Sequence, residues 1–159
     1  MPDLAFARDK IVRQTYREVL PGKFDSPEAT VLLLAIGLQE SRFQHREQVG
    51  GPARSFWQFE RGGGVIGVLT HSATGKHAQA ACILRGTAPT KEAVYARMLD
   101  DDLLGCAFAR LLLYSDPQPL PALGRSDLAW DYYQRNWRPG KPHRATWDAL
   151  YAQALGAVA

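Results

Sequence analysis

The chain has 159 residues, 46% hydrophobic and 22% charged, proportions that support one core and exclude an intrinsically disordered polymer. A formal net charge of +3 and a pI near 9.0 favour anionic partners in general, without choosing among nucleic acid, lipid headgroups and bacterial envelope polymers. The longest apolar run, residues 31–38, is too short to span a bilayer, so no membrane insertion is expected.

In chain order, Leu4, Ala7, Ile11, Val12, Tyr16, Val19 and Leu20 recur at helical spacing and predict an amphipathic helix closed by Pro21-Gly22. The first twenty residues carry scattered charges and no apolar signal core, so synthesis without a cleaved secretory signal is expected. Asp25-Ser26-Pro27-Glu28 is a helix start: a polar cap, a proline in the first turn and an acid at the positive end. The helix it opens, about 27–44, contains VLLLAIGL; apolar all round, it belongs in the middle of the fold. Residues 45–64 read as irregular, 64–71 and 75–85 as short helices, and 90–114 as helical with a break at Asp100-Asp101-Asp102. A turn-rich stretch follows from Pro117 to Gly124, then helices near 126–135 and 144–155. Cys82 and Cys106 sit in apolar helical segments and read first as reduced, buried residues, with one disulfide as the alternative if their helices are adjacent. The expectation is an all-α fold forming a single domain over 1–159.

The apolar central helix changes abruptly to Gln39-Glu40-Ser41-Arg42. Cleaving a glycosidic bond requires a carboxylic acid still protonated near neutral pH, which desolvation provides by disfavouring the charged form. Helical side chains lean toward the N-terminus, so Glu40 is expected over Ile36 and Gly37, with Ile36 as an apolar wall and Gly37 leaving room for substrate. On position alone, a solvated glutamate in a last turn is the commoner outcome.

Glu40-Ser41-Arg42-Phe43, followed by Ser55-Phe56-Trp57-Gln58-Phe59, resembles the lytic transglycosylases and goose-type lysozymes. There a Glu-Ser pair closes the catalytic helix, and a glycine/aromatic-glutamine motif lines the glycan cleft. Here Ser55 stands where that motif has glycine and Trp57 where methionine is common. A third element, an alanine- and tyrosine-containing helix ending near asparagine, is loosely matched by residues 129–136; the family's adjacent Tyr-Asn pair is absent, which leaves either Tyr132 or Tyr133 to reach Glu40, with Asn136 at the helix end. Residues 136–143 resemble a segment of phage-encoded members.

The resemblance implies a lysozyme-like fold and cleavage between N-acetylmuramic acid and N-acetylglucosamine, with Glu40 as general acid/base. It implies Ser41, Ser55, Phe56, Trp57, Gln58, Tyr132, Tyr133 and Asn136 as groups around the glycan. A hydrolase would recruit a second carboxylate from Glu60, Asp127 or Asp131; a glutamate-only enzyme would instead close a 1,6-anhydro ring, the outcome favoured here. The expected partner is peptidoglycan, reached by virion delivery or through a membrane lesion. The alternative is an inactive phage structural or glycan-binding protein, with other virion proteins as partners.

Several other signals are declined. Gly62, Gly64 and Gly67 spell a dinucleotide fingerprint but lack its βαβ context and its acid, so no cofactor is expected. His45, His71, His77 and His143 have no metal-ligand spacing, so no metal is expected. Arg135, Arg138, Lys141, His143 and Arg144 lie near Trp130, Trp137 and Trp147; that cluster fits a solvated face best, then an anionic glycan, and nucleic acid least.

Overall fold

The computed structural model describes residues 3–158. Residues 4–18 run as one rod, α1, in which Leu4–Phe6 and Arg13–Glu18 flank a wider π-helical stretch, Ala7–Val12. The Asp3 side chain caps it by accepting from the Phe6 amide at 2.8 Å. Its buried face carries Ala7, Ile11, Val12 and Tyr16, as the spacing predicts. A 3-10 turn, Gly22–Phe24, leads to α2, Pro27–Ser41. Then come α3, Ile66–Thr70, entered through a π-helical stretch at Arg61–Val65, and α4, Gly75–Leu84. The remaining helices are α5, Lys91–Arg97; α6, Asp102–Tyr114; α7, Ser126–Trp137; and α8, Arg144–Val158. The chain is mainly helical and, among the described residues, contains no strand; residues 45–60 hold only the isolated bridges Glu47–Arg54 and Arg54–Phe59. No described helix is long and apolar enough to cross a membrane.

The start signal before α2 works as read: Ser26 Oγ accepts from the Ala29 amide at 3.1 Å and Pro27 occupies the first turn. Residues 29–38 are all buried. This helix packs most extensively along α8, with α6 also in contact, and one apolar cluster joins all these elements. The helix stops at Ser41, short of the expected residue 44, because Arg42 and Phe43 both take left-handed backbone conformations (φ 56° and 55°). The predicted break at Asp100–Asp102 is a cap. Asp101, 3% exposed, accepts from the Leu104 amide at 3.0 Å and pairs with Arg85 at 2.9 Å and Arg97 at 3.1 Å. Its buried charge is thereby met on all sides. Cys82 and Cys106 are buried and free.

Three features converge at the C-terminal end of α2. Gln39 ties it to the start of α8, donating to the His143 carbonyl at 3.0 Å and accepting from Thr146 Oγ1 at 3.0 Å. Trp57 Nε1 donates to the Leu33 carbonyl at 2.8 Å, pinning the 55–59 segment onto α2. Trp137, at the end of α7, donates from its indole to the Trp57 carbonyl at 2.9 Å.

Candidate active site

Glu40 emerges from this junction partly buried, in a groove of about 510 Å³ whose other walls include Gln58, Glu60, Tyr133, Trp137 and the 138–141 turn. Tyr133 donates its hydroxyl to Glu40 Oε1 at 2.7 Å. Among the described residues no cation pairs with Glu40. Burial therefore raises its pKa above the ordinary carboxyl value, and the tyrosine hydrogen bond only partly offsets that rise. The tyrosine is held in turn: its ring stacks on Trp147 at 5.2 Å and 6°, and leans on Trp130 at 5.5 Å. Burial and the neighbouring carboxylate push its own pKa up, keeping it a donor.

Tyr132 points elsewhere. Its hydroxyl donates to the Leu113 carbonyl at 2.8 Å, with the Gln118 carbonyl at 3.2 Å. Adjacent residues on a helix differ in direction by about 100°, so only one of the two can serve Glu40.

The Glu-Ser pair divides its work. Ser41 is 5% exposed; its hydroxyl donates to the Phe56 carbonyl at 2.7 Å and accepts from the Phe43 amide at 3.1 Å. It stitches the helix end to the following loop and does not line the groove. Phe56 and Trp57 are likewise core side chains, 1% and 0% exposed; they pack the interior, the commoner fate of such aromatics, and do not present the stacking faces that the resemblance implies. Ser55 is buried too, in a left-handed conformation (φ 67°), and its Oγ accepts from the Trp57 amide at 3.0 Å. That conformation gives a physical reason why a glycine would suit the position.

Of the 55–59 motif, Gln58 alone faces the Glu40 groove. Its backbone is also left-handed (φ 57°), and its Nε2 donates to the Ser55 carbonyl at 2.8 Å. Among the described residues, the five non-glycine residues with positive φ, Arg42, Phe43, Ser55, Gln58 and Arg138, all belong to the segments that frame this groove. Strain of this kind persists where surrounding structure over-determines it.

Gly37 does not leave room for substrate. The Phe43 ring occupies that space: a Cβ on Gly37 would lie 2.2 Å from it. Asn136 is not at Glu40 either; its Nδ2 donates to Asp116 and to the Tyr132 carbonyl, both at 2.9 Å. It lines an adjoining groove of about 450 Å³ that shares Gln58, Glu60, Trp137 and Arg138 with the first. The second groove is edged by Gly63, Gly64 and Gly67, so the glycine-rich segment forms a cleft border. Gly64 lies against the Phe59 ring, 2.5 Å from where a Cβ would stand.

Among the three candidate second carboxylates, only Glu60 lines the groove. Asp127 is an exposed partner of Arg125 at 2.9 Å, and Asp131 faces another cavity, near Pro119 and Leu128. Within the basic cluster, Arg135 pairs with Asp116 and Arg144 with Asp148, leaving Arg138 and Lys141 on the groove rim. Trp137 and Trp147, which the sequence sets beside that basic cluster, meet the site through the Tyr133 ring. Their signal was present: Tyr133 and Trp137 are four apart, hence on one face of α7.

No protein-family model, curated protein or solved structure matches this chain.

Proposed function

We propose that this protein cleaves the glycan strand of peptidoglycan between N-acetylmuramic acid and N-acetylglucosamine, with Glu40 as general acid and then base. The observation that carries the reading is a half-buried carboxyl, hydrogen-bonded by one tyrosine and paired with no cation, opening into a groove of hydrogen-bonding groups. The resemblance of the Glu40-Ser41 and 55–59 segments to lysozyme-like lytic enzymes gives that carboxyl its proposed substrate.

Protonated by desolvation, Glu40 delivers its proton to the bridging oxygen as the bond from that oxygen to the muramic C1 breaks. The electron pair leaves with the N-acetylglucosamine oxygen, and positive charge develops on the muramic ring. Glu40, now anionic, accepts the Tyr133 hydrogen bond at full strength. It then takes a proton from the nucleophile, either water or the 6-hydroxyl of the same muramic residue. The second course closes a 1,6-anhydro ring and needs no second carboxylate. Hydrolysis through a paired acid would use Glu60, which lies in the groove. Gln58 is suited to hydrogen-bond an acetamido group or sugar hydroxyl, and Trp137 presents its ring beside it. We place the protein among phage or prophage lytic proteins acting on the cell wall.

The test is digestion of purified sacculi by wild type and Glu40→Gln, with products identified by mass spectrometry. Anhydro-muropeptides released by wild type alone support a glutamate-only transglycosylase. Reducing-end products lost in the variant support a muramidase. Binding to sacculi without any cleavage by folded wild type would replace catalysis with a glycan-binding or structural role.

A further inference from the structure

On the other side of α7 from Glu40 lies a cavity of about 360 Å³ between α6, the 116–120 turn and Tyr132. It shares no lining residue with the Glu40 groove. On its wall is Arg110, the only charged residue in the apolar run from Leu103 to Tyr114. Arg110 is 5% exposed. Its Nε donates to the Phe24 carbonyl at 2.8 Å, and the guanidinium sits 5.2 Å from the Phe24 ring centroid. Among the described residues no carboxylate pairs with it, and its two terminal nitrogens donate to no group. Nor are those nitrogens fully sealed in the core, and Arg110 lines the cavity.

A guanidinium withdrawn from water without a counter-charge costs far more than one bond to a carbonyl returns. Capping the Phe24 carbonyl would need only a neutral donor. The one acid on the wall, Asp116, is already engaged by Arg135 Nε and Asn136 Nδ2, both at 2.9 Å, and by the Gln118 amide at 2.9 Å. Its charge is met, so the cavity carries an uncompensated positive charge. The rest of the lining is largely apolar: Leu113, Pro117, Pro119 and Leu120, with the rings of Tyr114 and Tyr132.

We propose that this cavity is a second ligand site that takes a small organic carboxylate, its oxygens on the Arg110 fork and its apolar body against the proline and leucine wall. A carboxylate matches the planar donors of a guanidinium, and the volume falls within the usual range for small-molecule sites. A bare inorganic anion would satisfy the charge but leave the apolar wall unused.

The experiment is a titration of the ¹⁵N-labelled full chain with sodium benzoate at constant ionic strength, followed by two-dimensional NMR. Benzyl alcohol and sodium phosphate are titrated in parallel. The expected result is saturable benzoate shifts at the Leu113, Leu120 and Tyr132 amides, unchanged in Glu40→Gln. Benzyl alcohol should bind roughly tenfold or more weakly, having lost a charge-assisted bond, and phosphate more weakly than benzoate. Arg110→Met should abolish the shifts. Should that variant fail to fold, Leu120→Trp fills the cavity from its half-exposed wall, leaves the Phe24 bond in place, and should abolish them equally. The proposal is overturned by no saturable shift, by benzyl alcohol or phosphate binding as tightly as benzoate, or by shifts mapping to the Glu40 groove.

Discussion

Replacing Tyr133 with Phe removes one hydroxyl while keeping the ring that stacks on Trp147 at 5.2 Å. The lost bond, 2.7 Å from oxygen to oxygen, is worth different amounts in the two states of Glu40. To the neutral acid it contributes about 1 kcal/mol; to the ionised carboxylate, about 1.5–3 kcal/mol. No cation replaces it, so Tyr133→Phe should destabilise the fold more at high pH than at low pH, by roughly 0.5–2 kcal/mol of difference. The background runs in the same direction. Because burial raises the folded pKa of Glu40, its contribution to stability is fully present below the unfolded value and is lost as pH rises through the folded one. In Tyr133→Phe the folded pKa rises further, so that loss extends to higher pH. The assay is urea denaturation across pH for wild type, Tyr133→Phe, Glu40→Gln and the double variant. A destabilisation by Tyr133→Phe that is flat with pH, or one that adds to Glu40→Gln without coupling, would refute the pairing as the control on Glu40.

Glu40→Gln should gain in stability relative to wild type as pH rises through the raised folded pKa of Glu40, where wild type must hold a carboxylate that burial disfavours, and should lose that advantage in acid; urea midpoints measured across that pH range check this. Gly37→Ala should destabilise by about 1–3 kcal/mol despite alanine's better helix propensity, because its methyl meets the buried Phe43 ring; equilibrium denaturation reads it directly. Ser41→Ala should cost about 1–3 kcal/mol by stranding the Phe56 carbonyl and Phe43 amide, and the same denaturation measurement reports it. Glu60→Gln should lower sacculus cleavage by less than about tenfold and keep the anhydro product, as a glutamate-only route requires; a loss of two or more orders of magnitude, with reducing-end products in wild type, would make Glu60 the partner acid.

Much was decided by local chemistry. The cap at Ser26, the apolar run from Val31 to Leu38 and the switch to Gln39-Glu40 placed a carboxyl at the end of a buried helix from sequence alone, since these depend on neighbours a few residues away. The break before α6 was legible for the same reason: Asp101 caps its own helix. The directions of side chains at the junction were not local. The 55–59 segment contains three aromatic residues, and only its docking on the Leu33 carbonyl turns Phe56 and Trp57 inward and leaves Gln58 at the groove. Gly37 read as free space because Phe43, six residues on, reaches it only through two left-handed turns. Tyr132 and Tyr133 are chemically equal in the sequence. The phase of α7 against Trp147 and Leu113 gives one of them to Glu40 and the other to the 113–118 backbone, and that phase exists only once the helices have packed.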